Sequence, residues 1–222
     1  MDNNFEKYQR PAVAVDVVLF RIADKQLQVA LIKRDSSSVE PNKWSVPGGF
    51  IDINETIEET IYGKIAEKIG CKNFIVQPLT IKDNPQRDER WRVISCVYLG
   101  ILIPPFDNEY TCEWFTINDN LLEGCITINI DDLAFDHASM VKEGIQTMRD
   151  NLYETDTVFQ MVGETFTMSD LQSAFEIVSG KDINNFARRI KPLVEPTGEK
   201  VEGKAYRPAA KFRYCPKPKP NT

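Results

Sequence analysis

A chain of 222 residues, 42% hydrophobic and 27% charged, has the make-up of a globular protein and room for two units, one of about 150 residues and one of about 70. No apolar run approaches the roughly 20 residues that span a bilayer, and the first residues have no secretory pattern. Five scattered cysteines without a Cys-x-x-Cys pair argue against a disulfide framework or a zinc site, and for a reducing compartment, with the cytoplasm as the expected location. The net charge of −6 hides an asymmetry. Residues 1–180 hold 16 basic and 29 acidic side chains, whereas residues 181–222 hold 11 and 4. An acidic body with a basic end suits a polyanionic partner, because each neutralised phosphate releases a counterion; a merely solvated tail is the alternative.

In chain order, Pro11–Ile22 reads as a buried strand, β-branched and apolar almost throughout, and Leu27–Lys33 as a second. The polar stretch Asp35–Lys43 is a loop, and Trp44–Phe50 is a short segment bent by Pro47-Gly48-Gly49. Thr56 and Glu59 have capping-box spacing, and Ile57, Ile61, Ile65 and Ile69 form a stripe, so Thr56–Ile69 is expected to be helical. Phe74–Ile81, Val93–Ile103 and Cys112–Ile117 are further strands, and Ala138–Leu152 is a second helix with Val141, Ile145 and Met148 inward. The pattern breaks near Tyr153–Gly163, where a domain boundary is expected. Thr167–Ser179 then reads as a helix stopped by Gly180. Asp182 is expected to cap another, with Ile183, Phe186 and Ile190 inward and Asn184, Asn185, Arg188 and Arg189 outward. Two short helices joined through a tight turn form a helix-turn-helix. Strands near Leu193–Glu195 and Lys211–Tyr214 would make a wing, and Pro216–Pro220 reads as an extended, disordered end.

Gly49, Glu55, Ile65, Glu67, Gly70 and Cys71 fall on the spacing of the Nudix box, and Trp44–Phe50 matches its lead-in. The segment resembles Nudix hydrolases, with one decisive departure. Where the family carries Arg-Glu and Glu-Glu, this chain has Gly63-Lys64 and Glu67-Lys68. Positions 64, 67 and 68 share a helix face, which in active members offers carboxylates to magnesium, a cation that requires hard oxygen ligands. Two ammonium groups there repel the cation and leave Glu67 alone, so hydrolysis by the usual route is expected to be lost. Two readings of the lysines stand side by side. They neutralise a bound phosphate directly, or the pocket has decayed and they are solvated surface charges.

Further stretches extend the resemblance. Arg87-Asp88-Glu89-Arg90 followed by Val93–Tyr98 is similar to the ADP-ribose-recognising loop and strand of Nudix domains, with Glu89 in place of a proline. Glu113-Trp114-Phe115 and Leu133–His137 match as well. Phe166–Gln172, Asn185–Arg189 and Gly203–Ala209 match an attached DNA-binding domain. From about Pro11 to Tyr214 the chain resembles the Nudix-related bacterial transcriptional regulators of NAD metabolism and their sugar-sensing relatives. The resemblance implies an α/β fold: a Nudix α/β/α sandwich with a mixed sheet over residues 1–155, a winged helix-turn-helix domain over 160–215, and a disordered tail over 216–222. It implies a homodimer on a palindromic DNA operator, a small-molecule effector such as ADP-ribose or a pentose-type metabolite, no membrane partner and no cofactor. The expected ligand residues are Arg34, Gly48, Gly49, Lys64, Glu67, Lys68, Arg87 and Arg90. The expected DNA-binding residues are Asn184, Asn185, Arg188, Arg189, Arg207, Lys211 and Arg213. No catalytic or metal-ligating residue is assigned. His137, the sole histidine, is expected to cap or hydrogen-bond rather than catalyse. The competing function is a diphosphatase acting on ADP-ribose or another nucleoside diphosphate derivative, in which Mg2+ would bind Glu55 and Glu67 with help from Glu109 or Glu113. An RNA-binding adaptor lacks the aromatic pattern that single-stranded recognition favours.

Overall fold

The computed structural model describes residues 10–106, 109–201 and 208–215. Strand β1 (Ala12–Ala23) is the pivot of the larger part, because its apolar run is buried on both faces. Val15, Val17 and Leu19 face one hydrophobic layer, while Val18 and Phe20 face the other. The strand lies parallel to β6 (Val93–Leu102) and antiparallel to β2 (Gln26–Lys33). With β5 (Phe74–Lys82), β7 (Glu113–Asn118), β8 (Leu121–Glu123) and β9 (Thr127–Asn129), they form a mixed sheet in the order β5-β6-β1-β2-β7-β8-β9.

The expected segment Trp44–Phe50 divides into two short strands. β3 (Trp44–Ser45) pairs with β2, and β4 (Gly48–Phe50) crosses over to pair with β1. Pro47 lies at the crossover, where the lack of an N–H suits a break in the ladder.

Residues 57–69 form the helix expected there, but not as a uniform α-helix. Thr56 accepts a hydrogen bond from the Glu59 N–H at 3.1 Å and its own N–H donates to Glu59 at 2.7 Å, completing the capping box. α1 (Ile57–Thr60) is then followed by a π-helical turn (Ile61–Ile65) and by α2 (Ala66–Ile69). The wider turn contains Gly63, which has little α-helical preference, while Ile61, Ile65 and Ile69 all remain buried against the sheet. π-turns of this kind recur at functional sites.

The opposite face of the sheet is covered by α3 (His137–Asp150), whose Met140, Val141, Ile145 and Met148 are buried. Gly144 lies directly over Phe20, where an added Cβ would come within 2.9 Å of the ring, so a side chain there would separate helix and sheet.

One element is added to those expected, and one expectation is corrected. The irregular break near Tyr153–Gly163 contains a helix, α4 (Thr157–Val162), with Val158, Phe159 and Met161 buried. It packs against β1 and β6, so one hydrophobic core runs from Val18 and Phe20 through Phe159 to Phe175, Phe186 and Ile190. Beyond it, β10 (Phe166–Thr167) leads into α5 (Met168–Ser179), capped by a second reciprocal box between Thr167 and Asp170. The helix after it is shorter than expected. α6 spans Phe186–Ile190, and its N-cap is Asn185 in a left-handed conformation (φ 58°), not Asp182. The reason is local: the Ile183 N–H donates to the Glu176 carboxylate of α5 at 3.0 Å, which ties this stretch back as a turn. Asn184 and Asn185 therefore precede the helix rather than lie on it. β11 (Val194–Lys200) and β12 (Ala210–Tyr214) complete a three-stranded sheet in the order β10-β12-β11. Arg207, the Gly203–Arg207 stretch and the tail at 216–222 lie outside the described residues. Among the described residues, no helix is long and apolar enough to cross a membrane.

Candidate functional site

A cleft of about 810 Å³ opens where β3, β4, the π-helical turn and the loop before β6 meet. Arg34, Gly48, Gly49, Lys64, Glu67, Lys68, Arg87 and Arg90, the eight ligand residues expected from the sequence, all line it. Asp16, Phe135 and His137 line it too. Phe135 stands in a left-handed conformation (φ 52°), with the Arg34 guanidinium 4.8 Å from its ring centroid. Arg34 also donates from Nε to the Val39 carbonyl at 2.9 Å, so an aromatic face and a cation are presented together. Glu109 and Glu113 do not line the cleft.

The glycine loop meets the strand closely. Gly48 pairs with Asp16 across β4 and β1, and a Cβ there would fall 1.9 Å from the Asp16 carboxylate. Only glycine leaves room for that buried acid.

The two lysines of the helix face are held differently. Lys64 Nζ lies 2.6 Å from Asp52 Oδ2 and 2.7 Å from Glu55 Oε2. These carboxylates hold the Lys64 ammonium above its usual pKa, and the Lys64 hydrogen bond holds Glu55 below the usual carboxylate range. Lys68 Nζ donates to the Gly48 carbonyl at 2.6 Å and has no carboxylate within ion-pair distance among the described residues. Residues implied as magnesium ligands in active Nudix enzymes must gather several free oxygens. Here Glu55 is occupied by an ammonium and Glu67 has no acidic neighbour on the helix face, so the donor set does not fit a divalent cation. No group of three or more His, Cys, Asp or Glu suited to a metal occurs among the described residues.

Beneath the cleft lies a buried polar network. Ser95 donates to Asp16 at 2.5 Å, and Arg87 Nη2 lies 3.8 Å from Asp16. The Arg87 guanidinium forks onto Asp136, with Nε at 3.0 Å and Nη2 at 2.7 Å. Burial alone would push the Asp136 carboxyl up, but the Arg87 hydrogen bonds and charge outweigh it and hold it low. Arg90 instead forks onto Asp88 at 3.0 and 2.7 Å and is half exposed. The two arginines expected to act alike thus divide: Arg87 is built into the frame and Arg90 stands at the rim.

His137 makes the hydrogen bond expected of it, with Nδ1 accepting from the Val46 N–H at 3.1 Å. It is the first residue of α3 rather than its cap. Burial holds its pKa below the usual 6.5. The unfolded chain therefore binds the extra proton first, so stability is full above about pH 6.5 and is lost as pH falls below it. In His137→Asn, whose side-chain oxygen still accepts from Val46, that dependence is expected to flatten. Denaturation of both proteins between pH 8 and pH 5 tests it. The wild type should lose stability relative to the variant by up to about 1.4 kcal/mol per pH unit; parallel profiles would contradict the assignment.

The expected DNA face is arranged around α6. Asn184, Asn185, Arg188 and Arg189 are all exposed. Arg188 makes no ion pair among the described residues, whereas Arg189 lies over the Tyr153 ring, 5.2 Å from its centroid. On the wing, Arg213 is held by Glu195 at 2.6 Å and Lys211 is 3.6 Å from Glu199. Among the described residues of the wing, Lys211 and Arg213 thus offer less free positive charge than their number suggests.

A mixed sheet between helical layers, a glycine loop feeding a charged helix at the mouth of a cleft, and a winged helix sharing its core define an α/β cleft domain joined to a winged-helix domain. Residues 10–142 match the NUDIX domain, and the chain belongs to the Nudix family. Residues 158–214 match the NrtR DNA-binding winged helix domain. The ADPR responsive transcriptional repressor NtrR of Acinetobacter baylyi is 27% identical over 94% of this chain and 84% of its own length. The ADP-ribose pyrophosphatase of Methanocaldococcus jannaschii is 31% identical over 63% of this chain and 76% of its own. NrtR of Shewanella oneidensis, solved in complex with a 27mer DNA, superposes with a TM-score of 0.68 at 26% identity, covering 91% of this chain and 93% of that one. The Nudix domain of that protein, solved with ADP ribose, gives 0.50 at 26% identity over 66% and 94%.

Proposed function

We propose that this chain is a DNA-binding transcriptional regulator whose Nudix domain senses ADP-ribose, or a related sugar or nucleotide metabolite, without hydrolysing it. The observation that carries the reading is the Lys64 ammonium seated between Asp52 and Glu55, at 2.6 and 2.7 Å, where a hydrolase requires free carboxylates. What is left in the cleft suits recognition rather than bond cleavage: a guanidinium beside an aromatic ring at Arg34 and Phe135, a second fork at Arg90, and a glycine loop open to a ligand.

The same scaffold offers a route from ligand to DNA. At its N-terminal end α3 is fixed to the cleft through the His137–Val46 hydrogen bond and the Asp136–Arg87 fork. Near its C-terminal end Arg149 Nε donates to the Val178 carbonyl of α5 at 3.0 Å. A displacement of α3 by a bound ligand would therefore be felt by the helix-turn-helix that α5 begins. In this reading Asn184, Asn185, Arg188 and Arg189 meet base edges and phosphates, and Arg207, Lys211 and Arg213 meet the backbone. Two copies would read a palindromic site, as dimer symmetry requires, and the protein would work in the cytoplasm.

A magnesium-dependent hydrolysis assay with ADP-ribose tests the catalytic half of the proposal. No turnover is expected, while rates on the order of 1 per second would return the chain to the hydrolases.

A further inference from the structure

Resting on the reading above, we propose that the cleft binds the diphosphate of its ligand without a divalent cation, and that Lys68 is the fixed cation that takes the metal's place. Three features lead there. The Lys68 side chain is tethered, since Nζ donates to the Gly48 carbonyl at 2.6 Å and so stands at the glycine loop rather than ranging through solvent. Its charge is free, because no carboxylate lies within ion-pair distance of it among the described residues. Space is open beside it: a Cβ built on Gly49 would meet only Lys68 Nζ, at 3.9 Å.

Lys64 supplies the complementary half. Placed between Asp52 and Glu55, it offsets half the charge of these two acids and occupies an oxygen of each, which would otherwise repel a diphosphate or recruit a cation to bridge to it. The helix face is thereby converted from one that needs a metal to hold an anion into one that holds the anion itself. An ammonium with three donors satisfies phosphate oxygens as a point charge, and the Gly48 carbonyl occupies only one of those donors.

Calorimetry on the full chain with ADP-ribose, once in EDTA and once in magnesium, tests this. The wild type is expected to bind equally in both buffers. Lys68→Glu is expected to bind at least about tenfold more weakly in EDTA, the loss typical of a charge-assisted hydrogen bond. Lys68→Met, which removes the charge without reversing it, should fall between them, and circular dichroism establishes that both variants are folded. Binding by the wild type that vanishes in EDTA and returns with magnesium overturns the inference and leaves the sensor reading standing. Unchanged affinity in both Lys68 variants overturns it as well. Absence of binding in either buffer overturns the ADP-ribose reading and the inference with it.

Discussion

Phe159→Ala is expected to destabilise the chain by about 3–5 kcal/mol and to do so for both parts at once. Phe159 is 2% exposed, and its ring lies 4.2 Å from Tyr214, 5.4 Å from Phe175 and 6.1 Å from Phe166. The helix that carries it packs against β1 and β6 on its other side. A cavity there removes contacts from the winged helix and the Nudix sheet together, and the surrounding rings are held on three separate elements and cannot collapse into it. Trp44, Trp91 and Trp114 all lie in the Nudix part, so their fluorescence reports that part alone. In urea, fluorescence and far-ultraviolet circular dichroism should give coincident transitions that move together to lower denaturant in the variant. A fluorescence transition that stays in place while part of the helical signal melts early would mean two independent units.

The second large effect separates two arginines that sequence treats alike. Arg87→Ala should cost about 2–3 kcal/mol. Its side chain is 6% exposed, its fork satisfies Asp136, and its loss leaves that carboxylate and Asp16 uncompensated. Removing one partner of a buried pair is costlier than the pair's net contribution, though Asp136 at 26% exposure recovers some hydration. Because Asp136 is held low, part of the contribution disappears on acidification: it is present above about pH 3.8 and lost as pH falls through the folded value. Arg90→Ala should cost less, about 1–2 kcal/mol, because Arg90 is half exposed and Asp88, although only 8% exposed, keeps the backbone N–H of residue 90 at 3.0 Å. It should instead weaken ADP-ribose binding by about tenfold, the usual loss of a charge-assisted contact. Denaturation and calorimetry on both variants decide. An Arg87→Ala protein as stable as the wild type would remove the network from the frame, and an Arg90→Ala protein with wild-type affinity would remove Arg90 from the site.

Much of this was legible before any coordinates. The capping box at Thr56 and Glu59, the β-branched run of β1 and the glycine after Ser179 each encode a local geometry that tertiary packing does not overrule. Of the residues on the motif spacing, Gly49 and Glu67 line the cleft. What escaped was decided by distant contacts. α4 has six residues, too few for a helical period to emerge, and its apolar face is meaningful only beside Phe175 and Tyr214. The π-helical turn at Ile61–Ile65 leaves no mark in the isoleucine stripe, because residues four apart share a face in an α-helix as well. The early start expected for the last helix failed because Glu176, seven residues upstream of Ile183, captures its N–H. Asp16 did leave a signal, as a lone acid in the middle of an apolar strand, and such a residue invites a search for a buried cationic partner.

The central claim, that a ligand in the Nudix cleft governs binding to DNA, is tested most directly by the anisotropy of a labelled fragment. The fragment is taken from upstream of the chain's own operon and titrated with protein at several ADP-ribose concentrations. The account predicts tighter binding to this DNA than to a scrambled fragment, and a shift in that affinity of about fivefold or more on saturation with ADP-ribose, the usual range for coupled sites. The ADP-ribose should be recovered intact. Equal affinity for both fragments, untouched by ADP-ribose, would contradict it.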